Sequence, residues 1–201
     1  MRLLVRALPW LVAAISFAAF MATYSELGRW RAKFNYMEAW QYAAHTAVTD
    51  ESVVILGDSI TANAPFPDHI CGYPIVKAGY GGAATNDFLI LSRAILAGTK
   101  PNMVVVALGA NDTRSSHLTE DYRALLVQLF GYTNNIAAVS NTSDPTVLAS
   151  QREAAASAGI PYYQIEVTGL MPDRVHFNAD GYRQWIPSVA ATICRGYAKA
   201  G

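Results

Sequence analysis

From residue 52 onward, short runs of β-branched and other apolar residues alternate with stretches of helical periodicity. This alternation is typical of βαβ units, in which the strands are parallel and the crossovers are right-handed. It predicts an α/β fold, a three-layer α/β/α sandwich around a parallel sheet of about five strands. The predicted strands cover residues 52–56, 74–78, 103–108, 135–140 and 162–165. The predicted helices cover residues 85–97, 118–132, 146–158 and 179–198.

The candidate catalytic residues follow the predicted strands. In open α/β sheets, ligands bind outside the carboxyl ends of the strands, so residues in these positions are expected to meet at one edge. Four segments qualify: Gly57-Asp58-Ser59, Gly79-Tyr80-Gly81-Gly82, Gly109-Ala110-Asn111-Asp112 and, after the last strand, Asp173-Arg174-Val175-His176. The sequence therefore predicts one functional site at this edge.

Ser59 ends the run Val-Val-Ile-Leu-Gly-Asp-Ser, where a buried strand is expected to meet the start of a helix. Backbone N–H groups at a helix start are unpaired and can hold negative charge beside the serine oxygen. The position therefore suits a nucleophile. A helix-capping serine is the alternative for this residue alone.

The four segments together resemble the ordered blocks of the SGNH hydrolase family, also called GDSL esterases and lipases. Those blocks are a GDS turn, a glycine, a GxND segment and a DxxH segment, and all four occur in order within residues 53–182. The resemblance implies the flavodoxin-like SGNH hydrolase fold. One departure is Ile60, which stands where the family name has leucine.

Carried over residue by residue, the resemblance implies a serine esterase that hydrolyses carboxylic esters through an acyl-enzyme. Ser59 is then the nucleophile, His176 the general base and Asp173 the group that orients the imidazole. The backbone N–H of Ser59, that of Gly82 and the side-chain amide of Asn111 form the implied oxyanion hole.

Two further acidic residues, Asp58 and Asp112, are expected to brace turns through hydrogen bonds with the backbone rather than to contact substrate. An open alternative is an O-acetyltransferase or deacetylase that acts on surface carbohydrate, since the same residues can transfer an acyl group to a sugar hydroxyl. A catalytically silent, membrane-tethered binding protein is another.

A dinucleotide site is also considered, because Gly79-x-Gly81-x-x-Ala84 matches the GxGxxG/A fingerprint. The ribose-binding acid expected about 20 residues later is missing, since Asp112 is the next acidic residue after Asp87. No phosphate-binding P-loop is present either. No organic cofactor is therefore expected.

The charge balance argues against nucleic acid as a partner, since 15 Lys and Arg residues face 15 Asp and Glu residues. The expected partner is a small-molecule or surface-presented ester, and the oligomeric state is undetermined. Cys71 and Cys194 form no CxxC motif, so no metal site is expected. Whether the two thiols form a disulfide is left open.

Residues 1–24 are expected to be a signal peptide or a membrane anchor, because Arg2 and Arg6 accompany an apolar run. Ser16-Phe17-Ala18 is a cleavage candidate, and a buried soluble helix is the alternative. Residues 25–50 predict an amphipathic helix that packs in a core or lies at a membrane surface. Residues 51–201 are the predicted hydrolase domain. The protein is thus expected outside the cytoplasm, periplasmic or extracellular.

Overall fold

The computed structural model describes the backbone of residues 2–198 and the side chains of residues 15–196. The first residue of the predicted signal peptide or membrane anchor and residues 199–201 of the predicted hydrolase domain lie outside this range. The chain divides into two compact units, Met1–Tyr42 and Ala43–Gly201. Helix α1 (Arg2–Ala47) forms the first unit and ends in the second.

Helix α1 is continuous across the predicted boundary at residues 24 and 25. Trp30 and Phe34, which belong to the predicted apolar face, are 65% and 57% exposed. Within the described part of the chain, no helix combines the length and the hydropathy that crossing a membrane requires.

A six-stranded sheet forms the centre of the second unit. Its strands are β1 (Val53–Gly57), β2 (His69–Ile70), β3 (Tyr73–Gly79), β4 (Met103–Ala107), β5 (Ile136–Val139) and β6 (Tyr162–Tyr163). The order across the sheet is β2-β3-β1-β4-β5-β6, and all neighbours are parallel except β2 and β3. Every residue of β1 and β4 is buried, as expected for parallel strands that are covered on both faces.

Five helices complete this unit: α2 (Ser59–Asn63), α3 (Thr85–Leu96), α4 (Leu118–Leu129), α5 (Pro145–Ala158) and α6 (Ala179–Ala198). Trp185 and Val189 of α6 share a buried cluster with Val53 and Ile55 of β1 and with Val105 of β4. Successive side chains alternate between the faces of a strand, so the intervening residues point toward the opposite layer. There α4 packs against both α3 and α5. The predicted α/β/α sandwich is confirmed.

The sixth strand, β2, was not predicted. It is antiparallel to β3 and only two residues long, too short to show an alternating pattern. Cys71 and Gly72 form the connecting turn with φ values of 51° and 85°, as in the two-residue turns typical of hairpins.

Cys71 is bonded to Cys194 of α6, with the two Cα atoms 5.8 Å apart. The sequence left this pairing open. The bond joins positions 123 residues apart and fixes the edge hairpin to the C-terminal helix.

Candidate active site

Ser59 is the first residue of α2, and only Asp58 separates it from the end of β1. The path of the chain is tight here, because a Cβ on Gly57 would lie 2.7 Å from the carbonyl oxygen of Ala107 in β4. Glycine at position 57 therefore allows Ser59 to emerge at the carboxyl end of the sheet. The Oγ of Ser59 lies 2.8 Å from Nε2 of His176, which is 117 residues away in sequence.

His176 and Asp173 lie on one turn before α6. The Nδ1 of His176 is 2.7 Å from Oδ2 of Asp173. The other carboxylate oxygen, Oδ1, accepts hydrogen bonds from the backbone N–H groups of Val175 and His176, each at 3.0 Å. These bonds hold the carboxylate in place, so the imidazole has one nitrogen on Asp173 and the other on Ser59.

The residues after His176 anchor this turn in the core. Phe177 is 5% exposed, and its ring lies 5.7 Å from that of Tyr182 and 5.8 Å from that of Trp185, measured between centroids. The Oδ1 of Asn178 accepts hydrogen bonds from the N–H groups of Asp180 and Gly181 at the start of α6. A rigid helix start therefore determines where the imidazole points.

The two other predicted residues of the oxyanion hole lie on neighbouring loops. Gly82 lies in the turn after β3 with a φ of 78°, a conformation that favours glycine. The Nδ2 of Asn111 donates a hydrogen bond to the carbonyl oxygen of Ala83 at 2.9 Å. The bond holds Asn111 against the loop that contains Gly82. A side-chain amide carries two N–H donors, and this bond uses one of them.

A cavity of about 480 Å³ opens beside the turn that carries Asp173 and His176. Arg174 and Val175 line it, and both lie between those two residues in sequence; Ala110, which precedes Asn111, lines it as well. Its polar lining includes Thr113, Ser143, Gln164, Glu166 and Thr168. The volume is within the usual range for small-molecule sites.

Comparison of the structure with solved structures finds several proteins of similar fold, some of them described as esterases or acylhydrolases. A protein of Streptococcus pneumonia with the provisional name platelet activating factor is 18% identical, with a TM-score of 0.63 over 84% of this chain and 97% of the other. A variant of an acetyl xylan esterase from Geobacillus stearothermophilus is 15% identical, with a TM-score of 0.58 over 73% and 95% of the two chains. A lipase/acylhydrolase from Enterococcus faecalis is 20% identical, with a TM-score of 0.54 over 72% and 94%.

The chain has the fold of the SGNH hydrolases. No family model matches its sequence, and no curated protein matches it in sequence.

Two carboxyl groups of this SGNH fold lie in contrasting surroundings. The hydrogen bond from His176, together with the two backbone N–H groups, lowers the pKa of Asp173 from 3.8 to about 2. Burial raises the pKa of Asp58 from 3.8 to about 6, although the hydrogen bonds that it accepts oppose the shift. One carboxyl is thus held ionised beside the imidazole, and the other lies buried under the nucleophile.

Asp58 and Asp112 brace turns, as the sequence predicts. Asp58 caps α2 by accepting a hydrogen bond from the N–H of Ile60 at 2.9 Å. Asp112 accepts hydrogen bonds from the N–H and the hydroxyl of Thr85 at 3.0 and 2.9 Å. This contact ties the loop after β4 to the start of α3, so both acidic residues connect the loops that carry the candidate site residues.

Gly79 of the considered dinucleotide fingerprint has a structural role in this fold. A Cβ at this position would lie 2.6 Å from the Cα of Ala62, so glycine allows α2 to pack on β3. Within the described residues, no group of three or more His, Cys, Asp or Glu side chains is placed to hold a metal ion.

Asn141 is the residue at this edge that the sequence analysis missed. It is 1% exposed, and its Nδ2 donates hydrogen bonds to Oδ2 of Asp58 at 2.8 Å and to the carbonyl oxygen of Ala107 at 2.9 Å. The signal was available, because Asn141 follows the apolar run of β5 as Asn111 follows that of β4.

The two perturbed carboxyl groups give a testable pH dependence. We expect the carboxyl carbon of Asp58 to titrate near pH 6 and that of Asp173 near pH 2 in ¹³C NMR spectra. Asp58→Asn and Asp173→Asn variants assign the two signals. A midpoint for Asp58 near the ordinary value of 3.8 would contradict the burial described here.

The two shifts affect stability with opposite signs. The pKa of Asp173 is lower in the folded chain, so its stabilising contribution is present above pH 3.8 and is lost as the pH falls toward 2. The pKa of Asp58 is higher in the folded chain, so its burial costs stability as the pH rises from 3.8 to about 6.

Proposed function

We propose that this protein is a serine ester hydrolase that cleaves carboxylic esters through an acyl-enzyme. The observation that carries the proposal is the hydrogen-bonded series from Ser59 Oγ to His176 Nε2, at 2.8 Å, and from His176 Nδ1 to Asp173 Oδ2, at 2.7 Å. A serine hydroxyl becomes an effective nucleophile when a base accepts its proton, and this geometry supplies that base.

In the proposed reaction, Ser59 Oγ attacks the ester carbonyl carbon while its proton passes to Nε2 of His176. The carbonyl π electrons move to the oxygen, and the tetrahedral intermediate forms. Its collapse breaks the bond to the alcohol, which leaves with the proton from Nε2. A water molecule then attacks the acyl group and gives its proton to Nε2. The acid is released, and Ser59 recovers its hydrogen.

Asp173 acts through the imidazole. Its ionised carboxylate accepts the Nδ1–H of His176, which leaves Nε2 free to accept the proton of Ser59. The same carboxylate stabilises the imidazolium while that proton is held. The low pKa of Asp173, about 2, is consistent with a carboxylate that stays charged throughout.

The negative oxygen of the intermediate requires hydrogen-bond donors. We assign this role to the backbone N–H groups of Ser59 and Gly82 and to the amide of Asn111. Removing one such donor typically lowers the rate by about 10²–10³. The contact between Asn111 and Ala83, beside Gly82, supports placing the last two donors together.

Substitution of Ser59, His176 and Asp173 tests the proposed triad. Ser59→Ala and His176→Ala are expected to lower kcat for p-nitrophenyl acetate by about 10⁴-fold or more, and Asp173→Ala by less. The measurement is p-nitrophenolate release by purified, folded variants. His117→Ala serves as the control, because this exposed histidine lies outside the proposed site, and it should retain wild-type activity. Wild-type turnover by Ser59→Ala would exclude the nucleophile assignment.

A second candidate function concerns the acyl acceptor and the alcohol. The cavity beside His176 presents hydroxyl, amide and carboxyl groups such as those of Ser143, Gln164 and Glu166, which suit a hydroxyl-rich alcohol. One structural neighbour is described as an acetyl xylan esterase. We propose acetylated carbohydrate as the substrate class that this cavity favours, with O-acetyl transfer to a sugar as the related reaction.

A substrate panel tests this candidate. We expect kcat/KM for acetylated xylo-oligosaccharides and p-nitrophenyl acetate to exceed that for p-nitrophenyl decanoate, because the polar side chains of the lining can hydrogen-bond a sugar, whereas a decanoyl chain would leave them without partners. Adding an unacetylated oligosaccharide to the assay separates transfer from hydrolysis, since an acetylated acceptor then appears by mass spectrometry. Faster cleavage of the decanoate would reject the carbohydrate assignment and favour a lipid ester.

We also propose that the hydrolase domain lies outside the cytoplasm and that the N-terminal segment associates with a membrane. Arg2 and Arg6 before the apolar run support this, as do the exposed aromatic side chains on α1, such as Trp30. The bond between Cys71 and Cys194 suits an oxidising compartment.

Fractionation combined with thiol alkylation tests the location. We expect the protein in an exported or membrane fraction, with Cys71 and Cys194 modified by maleimide only after reduction. A Cys71→Ser, Cys194→Ser variant controls for nonspecific labelling. Recovery of the intact chain from the cytosol with both thiols reactive would overturn the assignment.

A further inference from the structure

A single buried carboxylate receives three N–H groups beneath the candidate site. Asp58 is 0% exposed. Its Oδ1 accepts the N–H of Ile60 at 2.9 Å, and its Oδ2 accepts the N–H of Ala110 at 3.3 Å and the Nδ2–H of Asn141 at 2.8 Å. Because an ionised carboxylate has acceptors only, it can satisfy all three donors at once.

The three donors come from different parts of the sheet edge. Ile60 belongs to α2 after β1, Ala110 follows β4, and Asn141 follows β5. Asn141 donates its second amide hydrogen to the carbonyl oxygen of Ala107, the last residue of β4. The Asp58–Asn141 pair therefore links the carboxyl ends of three neighbouring parallel strands.

Asp58 and Ala110 are adjacent in sequence to the proposed nucleophile and to a proposed donor of the oxyanion hole. Ser59 directly follows Asp58, and Asn111 directly follows Ala110. The hydrogen bond from the N–H of Ala110 to Asp58 therefore connects the residue before the nucleophile to the residue before the amide of the proposed oxyanion hole. Rate losses of about 10²-fold can follow from a displacement of 1 Å in such a site.

The surroundings of Asn141 leave little freedom for the pair. Gly109 has a φ of 130°, and a Cβ there would lie 3.4 Å from the Oδ1 of Asn141 and 3.1 Å from Val147 of α5. Gln151, also in α5 and 0% exposed, donates a hydrogen bond from Nε2 to the carbonyl oxygen of Leu108 at 2.6 Å. The loop after β4 is thus fixed on both sides.

We propose that Asp58 and Asn141 are positioning residues that align Ser59 with Asn111 for stabilisation of the tetrahedral intermediate. The inference rests on the proposed esterase function and adds to it a role for a buried pair that does not touch the substrate. The pair acts through the N–H of Ala110, which it holds, and through the loop that follows.

A double-mutant cycle tests this coupling. Asn141→Ala is expected to lower kcat for p-nitrophenyl acetate by about 10–100-fold with little change in KM. Asn111→Ala is expected to lower kcat by about 10²–10³-fold. If Asn141 acts by aligning Asn111, adding Asn141→Ala to the Asn111→Ala variant should change kcat by less than about 3-fold. Asn141→Ser, which keeps a donor on a smaller side chain, should retain more activity than Asn141→Ala.

Gln128→Ala is the matched control. The Nε2 of Gln128 also makes two hydrogen bonds, to Leu89 and Ser92. Gln128 lies near the C-terminus of α4, which leads to the amino end of β5 and therefore lies away from the site. Its loss is expected to lower the midpoint of urea unfolding while kcat stays at the wild-type value. Circular dichroism and urea unfolding establish that each variant is folded, and Asn141→Ser replaces Asn141→Ala in the cycle if the latter is not.

The outcomes distinguish the positioning role of Asp58 and Asn141 from the esterase function. Multiplicative losses in the cycle, or wild-type kcat in a folded Asn141→Ala variant, would overturn the positioning role while the esterase function stands. Wild-type activity no higher than that of Ser59→Ala would overturn both.

Discussion

The parallel pairing of β1 with β3 and β4 is the constraint on which the candidate site depends. Gly57 pairs with Gly79 and with Ala107, so three strands reach their carboxyl ends at the same level. Their following loops bring Ser59, Gly82 and Asn111 to one edge of the sheet. Because β1 is buried on both faces, a slip of its register by one residue would exchange the side chains that face the two layers and disrupt the packing of both.

A second set of contacts places the base. His176 belongs to no strand and reaches Ser59 because the chain around it is held at several points. Phe177 is packed in the core and pairs with Leu170 across the turn, while Asn178 caps the start of α6. The disulfide from Cys194 ties α6 to the edge hairpin. A loop thus carries the imidazole, and rigid elements define the position of that loop.

The two aspartates beside the proposed nucleophile show how the same side chain takes different roles. Asp173 is half-exposed, accepts a hydrogen bond from His176 and has a lowered pKa of about 2. Asp58 is buried, accepts hydrogen bonds from neutral N–H groups and has a raised pKa of about 6. The imidazole partner favours the charged form of Asp173, whereas burial makes the charged form of Asp58 less favourable. That cost is consistent with a task in holding the loops together.

The sequence by itself determined the fold class, and together with its resemblance to the SGNH hydrolases it predicted the residues of the candidate site. The alternation of apolar runs and helical stretches indicates a parallel sheet, and the edge rule points to Ser59, Asn111 and His176 because each of these residues follows a strand. Local patterns carry this information, since strand burial and turn chemistry are encoded within a few residues.

Only the tertiary structure decided which residues touch. The pairing of Cys71 with Cys194, the antiparallel β2 and the link from Asn141 to Asp58 join positions that share no local pattern. Asn141 follows an apolar run in the sequence, but its contact with Asp58 forms only because β5 lies two places from β1 in the sheet. Contacts between distant segments depend on strand order and on helix packing, and these are properties of the whole chain rather than of any one segment.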